Sequence, residues 1–324
     1  MTFTYIEVCA GAGGLSTGFE HIGFKLVLLN EIDKSCCSTL RLNHPTTPIH
    51  EGSISELKLD EEVDVLAGGI PCQSYSQAGL RKGLSDQRGQ LVYEFNRLVH
   101  EANPKVFLIE NVKGLVSHQQ GRTLDTIVRL LSNDGTYTIQ YQVLNANDFQ
   151  VPQKRERLII VGVRSDIRKK FKFPSITQDR KLVLRDVLMN VPSSPCGTYS
   201  EKKKEIMDLV PPGGCWVNLP LERQREYLGE RMLASGGGKR GVARRLSMDE
   251  ACLTILTSPS QKQTERCHPT ETRPFSIRES ARIQTFPDDY VFSGSVSSQY
   301  KQIGNAVPVQ LAKRLAEEVK ILLE

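Results

Sequence analysis

A cysteine held between proline and glutamine, Pro71-Cys72-Gln73, is the residue of this chain best placed to form a covalent bond with a substrate. The apolar stretch 63–66 ahead of it reads as a strand, so the thiol emerges at a carboxyl-terminal strand edge, and a polar, Gly-rich loop (73–90) follows. The usual fate of a single thiol is to pack as a small hydrophobe, but Gly68-Gly69 before it and Gln73 after it make a poor core. A second apolar run, Val106 to Ile109, ends in Glu110-Asn111-Val112. A thiolate nucleophile and a carboxyl able to hold or lend a proton thus leave the same sheet edge. At the amino terminus, Val8-Cys9-Ala10-Gly11-Ala12-Gly13-Gly14-Leu15 follows a strand and opens a helix. Such glycines let the backbone turn tightly against a nucleotide-type ligand. The next strand ends at Asn30-Glu31, where a carboxylate meets a ribose diol; the competing reading is a solvated strand end. No GxxxxGK[ST] is present, which excludes a P-loop, while hydride chemistry on a dinucleotide stays open at this point.

Positioning these groups requires a sheet. Strand patterns at 3–8, 25–30, 63–68, 105–110, 139–144 and 157–163 alternate with helical patterns at 15–22, 34–42, 88–102 and 121–133. That rhythm predicts an α/β fold with a largely parallel sheet and its ligands beyond the carboxyl ends of the strands. Near residue 165 the character turns basic and polar, then rich in Pro, Ser and Gly. Residues 1–182 and 292–324 are therefore expected to form one body and 183–291 a smaller, irregular domain, with a closing helix from Val309 to Leu323. In the 324 residues the net charge of +5 suits a polyanionic partner without requiring one. The eight cysteines show no CxxC spacing, so neither a zinc site nor any other metal site is expected. With no secretory signal and no bilayer-length apolar run, reduced thiols and a cytoplasmic location are expected, with no membrane partner.

Taken in order, these motifs resemble those of the DNA cytosine-5 methyltransferases along nearly the whole chain. The Gly-rich turn is similar to that family's first motif, Pro71-Cys72-Gln73 to its nucleophile loop, and Glu110-Asn111-Val112 to its acid/base motif. Gln153-Lys154-Arg155-Glu156-Arg157 fits its QxRxR pattern. Arg278-Glu279, Ala281-Arg282 and Phe286-Pro287-Asp288 resemble the ninth motif, and Gly304-Asn305-Ala306-Val307 with Leu311-Ala312 the tenth. The resemblance implies a Rossmann-like S-adenosylmethionine-dependent methyltransferase fold with a smaller target-recognition domain, and S-adenosylhomocysteine as a product. It implies that the Cys72 thiolate adds to C6 of cytosine, activating C5. Glu110 would contact N3 and the exocyclic amine, which calls for a proton and a raised pKa in a dry pocket. Arg155 and Arg157 would hold the base's O2 and the adjacent backbone. Stacking blocks attack on the ring face in a duplex, so the base must be flipped out.

By the same resemblance, the cofactor would lie against Cys9, Ala10, Gly11, Gly13, Gly14 and Leu15, with Glu31, Ile32, Ser53, Ile54, Pro71, Asn305 and Val307 around it. Two positions depart from the family pattern. Cys9 stands where many relatives carry a Phe that stacks on adenine, and Ser53 where many carry an Asp that accepts from its amino group. Double-stranded DNA is the implied partner. Gln73, Ser76 and Arg88 of the loop are candidate contacts, with Arg244, Arg245 and Thr254 in the small domain. Arg245, immediately before Leu246, is expected to read a base through the arginine fork that fits guanine. The alternative is a tRNA cytosine-5 methyltransferase, but the Cys-Phe-Thr signature of those relatives is absent. The implied role is a bacterial restriction-modification enzyme acting as a monomer, sharing its site with an endonuclease without a stable complex.

Overall fold

The apolar runs that precede the chemical residues form the middle of one sheet. The computed structural model describes residues 2–70, 90–177, 179–234, 241–259 and 265–324. The strands are β1 (Thr4–Val8), β2 (Lys25–Glu31), β3 (Ile49–Glu51), β4 (Val65–Gly68), β5 (Val106–Val112), β6 (Tyr137–Asn145), β7 (Gln153–Lys154), β8 (Glu156–Arg164) and β9 (Cys252–Leu253). Seven of them make a sheet of order β3-β2-β1-β4-β5-β8-β6. The run from β3 to β5 is parallel, whereas β8 lies antiparallel to both β5 and β6. Strand order reverses between β1 and β4, which creates the crevice where ligands bind in such sheets.

The helices are α1 (Gly14–His21), α2 (Lys34–Asn43), α3 (Leu91–Ala102), α4 (Gly114–Ser117), α5 (Arg122–Ser132), α6 (Glu201–Asp208), α7 (Leu221–Leu228), α8 (Glu230–Ala234), α9 (Ile277–Ile283), α10 (Val296–Asn305) and α11 (Val309–Leu323). Side chains alternate across the central strands. Tyr5, Ala67 and Leu108 face a layer containing Phe19, Leu311 and Leu315. Ile6, Leu66 and Phe107 face the opposite layer, which contains Phe95, Leu98 and Ile127. Both faces are covered, which is why β4 is apolar without a polar alternate. Close contact of α1 with α11 depends on Gly18, since a β carbon there would lie 2.4 Å from that of Ala312.

Two short pairings carry no periodic signal in the sequence. β3 has three residues, and β7 pairs in parallel with β9 through Gln153–Cys252 and Lys154–Leu253. That small ladder fastens the region after residue 183 to the sheet body. Apolar packing cuts across the span 183–291. Ile206, Met207, Trp216, Leu219, Val242 and Cys267 share one cluster. Ile277, Ile283, Phe286 and Tyr290 instead pack with Tyr300, Ile303 and Val309. Helix α9 is thus cemented to α10 and to the start of α11. Among the described residues, no helix is long and apolar enough to cross a membrane.

Candidate active site

The turn after β1 is built on positive φ angles, 52° at Cys9, 56° at Gly11 and 77° at Gly13. Gly14, which opens α1, allows the closest approach. A β carbon there would lie 2.2 Å from the Val307 carbonyl oxygen. At Gly11 the same carbon would meet nothing within 4 Å, because the residue borders open space. That space is a cleft of about 400 Å³. Cys9, Ala10, Gly11, Gly14 and Leu15 line it from the turn, and Asn305 and Val307 from the segment after α10. Glu31, Ile32, Ser53 and Ile54 complete the end beside β2 and β3. Gly13 lies behind the turn, where a side chain would collide with the Tyr290 hydroxyl, 2.7 Å from its β position.

Glu31 is buried rather than solvated. Its Oε2 accepts from the Gly11 amide at 2.7 Å, and its Oε1 accepts from the amides of Ile32 and Asp33, both at 2.8 Å. The carboxylate therefore fixes the turn while facing the cleft. Ile32 is 68% exposed at the mouth, an aliphatic side chain left in water opposite buried Ile54. Ser53 Oγ is engaged with Ser55 Oγ at 2.7 Å. Burial, followed by the carboxylates of Glu31 and Glu7, pushes the Cys9 thiol up to about 12, so it stays protonated and unreactive at neutral pH.

At the other end of the cleft, β4 and β5 run side by side with Gly68 opposite Ile109. A β carbon on Gly69 would lie 3.9 Å from Glu110 Oε2, and the Ile70 carbonyl accepts from Asn111 Nδ2 at 3.3 Å. Pro71, Cys72, Gln73, Ser76 and Arg88 lie outside the described residues. Glu110 is buried, and its Oε1 lies 2.7 Å from Arg157 Nε across the β5–β8 pairing. Its surroundings therefore include a paired guanidinium, unlike the simple dry pocket that the sequence suggests. Arg155 is 1% exposed, and its Nη2 donates to the carbonyls of Gly304, Asn305 and Ala306 at 3.1, 3.3 and 2.9 Å. Among the described residues its buried Nε and Nη1 have no hydrogen-bond partner. Burial, reinforced by Arg157, moves its pKa well below the usual arginine range. Arg155 thus braces the 304–306 segment of the cleft wall.

The base-reading expectation for Arg245 finds no support in its hydrogen bonds. Arg245 is 6% exposed, and its guanidinium donates to the carbonyls of Val210, His268, Glu271 and Met207 and to Thr272 Oγ1. No donor is left for guanine; the side chain is an internal staple of the small region. Arg244 is likewise committed, with Nη2 forked onto both Glu250 oxygens at 2.9 and 3.0 Å and Nη1 donating to the Gly213 carbonyl. Thr254 sits just after β9, donating to the Lys154 carbonyl at 2.9 Å, beside β7 and one residue from Arg155, which links β7 to β8.

Several residues at the site escape a motif search. Glu7 lines the cleft from within β1, and burial pushes its carboxyl up to about 8 despite the Ser16 and Tyr5 hydroxyls donating to it. Its one signal is a lone acid in an apolar strand, Ile6-Glu7-Val8. Tyr290 donates to the Ala12 carbonyl at 2.5 Å and so clamps the Gly-rich turn from the far end of the chain. Gln153 and Gln284 are fully buried and bonded to each other, which local sequence does not reveal.

The geometry agrees with comparison to known proteins. A Type II methyltransferase of Staphylococcus aureus, M.Sau96I, is 50% identical over 98% of this chain and 75% of its own length. An Escherichia coli Type II methyltransferase, M.Eco47II, is 49% identical over 99% of this chain and 80% of its own length. Among solved structures, a DNA modification methyltransferase from an E. coli prophage superposes with a TM-score of 0.74 at 23% identity, over 99% of each chain. The Entamoeba histolytica methyltransferase EhMeth gives 0.72 at 16% identity, over 100% of this chain and 99% of that one. These two likenesses establish the fold as that of the methyltransferases. The family model for C-5 cytosine-specific DNA methylase matches residues 3–321: the protein belongs to the C-5 cytosine-specific DNA methylases.

Proposed function

We propose that the protein uses S-adenosylmethionine to methylate C5 of a cytosine flipped out of a short duplex site, through a bond between Cys72 Sγ and C6. The supporting observation is the buried Glu110–Arg157 pair in the same cleft as the Gly-rich turn. The cleft fits the cofactor. Glu31 offers a fixed carboxylate for a ribose, Ile32 and Ile54 offer apolar walls for an adenine, and Gly11 leaves room beside the turn. Pro71, Asn305 and Val307 would close over the methionine end. When bound, S-adenosylmethionine supplies an electrophilic methyl group.

The chain's own residues do the remainder. The Cys72 thiolate adds to C6 as Glu110 places a proton on N3, and the ring electrons pushed onto C5 make that carbon nucleophilic. Once C5 is methylated, water takes the C5 proton, the electrons of that bond re-form C5=C6 and expel the thiolate, and N3 returns its proton to the Glu110 carboxylate. Arg157 holds Glu110 in line, and the two free donors of Arg155 meet the base's O2 or the neighbouring phosphate. Gln73, Ser76 and Arg88 contact DNA from the loop after Cys72, and Thr254 contacts it from the exit of β9. The role is modification within a Type II restriction system, performed by a single copy in the cytoplasm beside an endonuclease reading the same site; this rests on the relatives' likeness.

Two measurements test this reading. Labelled methyl groups should pass to duplex DNA and not to tRNA, and bisulfite sequencing of DNA from expressing cells should show one short protected motif. Label appearing on tRNA alone would refute the DNA assignment. Gly14→Ala should weaken S-adenosylhomocysteine binding at least about tenfold, or ~1.4 kcal/mol, because the new methyl must push Val307 out of the cleft wall. Calorimetry with wild-type affinity in this variant would place the cofactor elsewhere.

A further inference from the structure

Two buried side chains, Gln284 and Arg155, hold the turn that walls the cleft, and a third, Gln153, holds Gln284. Gln284 Nε2 donates to the carbonyls of Ile303 and Ala306 at 2.6 and 3.1 Å. Arg155 Nη2 reaches Gly304, Asn305 and Ala306. Gln284 Oε1 in turn accepts from Gln153 Nε2 at 2.8 Å, while Gln153 Oε1 accepts from the Ile255 amide at 2.9 Å. Ile255 directly follows Thr254 at the exit of β9, and Gly304, Asn305, Ala306 and Val307 all line the cleft. Both glutamines are 0% exposed. No solvent can replace a lost partner there, so their amides must move with the groups they hold.

We propose that Gln153 and Gln284 are positioning residues that join the DNA-facing segment after β9 to the wall of the cofactor cleft, coupling cofactor affinity to DNA binding. This inference rests on the reading of the cleft as a S-adenosylmethionine site. A shift of Thr254 on engaging DNA pulls the Ile255 amide, which turns the Gln153 amide and, through it, Gln284 and the 303–306 turn. Reciprocity follows, so bound cofactor alters DNA affinity by the same factor.

The test is calorimetry of S-adenosylhomocysteine binding to the full chain, alone and with sheared, unmethylated duplex DNA, for wild type, Gln284→Met and Gln153→Met. Wild type should change its affinity by at least about fivefold on adding DNA. In both variants that ratio should fall to about one, and Gln284→Met, which strips the donor from two carbonyls, should also bind about tenfold more weakly without DNA. Circular dichroism identifies an unfolded variant. If Gln284→Met does not fold, the ratio for Gln153→Met decides. A DNA-dependent change that survives Gln153→Met, or wild type showing none, overturns the coupling alone. Failure of wild type to bind S-adenosylhomocysteine at all would overturn the cleft reading itself.

Discussion

Replacing Cys72 with serine will reduce methyl transfer by about 10⁴-fold or more and abolish the covalent complex with duplex DNA containing 5-fluorocytosine. The fluorine on C5 cannot depart as the proton does, so the wild-type enzyme remains bonded to C6 and migrates as a stable protein–DNA adduct. A serine hydroxyl at the same place stays protonated at neutral pH and adds to the ring far too slowly. Cofactor binding should persist, because the turn at Cys9–Gly14, the Glu31 carboxylate and the 304–307 wall are built without residue 72. Binding and chemistry are thereby separated in one variant. Undiminished adduct formation by Cys72→Ser, measured by denaturing electrophoresis, would remove the nucleophile from the mechanism.

Arg245→Ala should destabilise the small region and weaken cognate and random DNA alike. Truncation leaves the Val210 and His268 carbonyls without the guanidinium donor, at a cost of about 1–3 kcal/mol each before local relaxation, while the Met207 and Glu271 carbonyls keep the backbone amides of Val210 and Arg273. The cluster around Met207, Val210 and Trp216 should loosen with it. Thermal melting followed by Trp216 fluorescence, the single tryptophan of the chain, reports on that region directly. Filter binding with the methylated site motif and with scrambled duplex supplies the second readout. A melting curve identical to wild type together with a selective loss of cognate binding would restore Arg245 as a base reader. The contrast is useful because Arg244 and Arg245 look alike in sequence. One is forked onto Glu250 and the other stapled to backbone carbonyls, so neither offers a free fork to a base edge.

What the sequence by itself determined is the family and the sheet that carries its motifs. Apolar runs ending in Gly-Gly-Ile-Pro-Cys and in Glu-Asn-Val can be read locally, because a central parallel strand has one periodicity and its carboxyl end has one place for a functional group. The Gly-rich turn is legible for the same reason, since positive φ angles and a 2.2 Å approach to Val307 leave glycine as the residue that fits. The tertiary structure alone decided which polar side chains turn inward. Arg245 appears basic and loop-borne, yet it saturates itself on carbonyls contributed from 207 to 271. Gln153 and Gln284, separated by 131 positions, find each other only when β9 and α9 dock on the sheet body. Hydrogen-bond partners distant along the chain leave no periodic trace, because a donor is satisfied by position in space rather than by its neighbours in sequence.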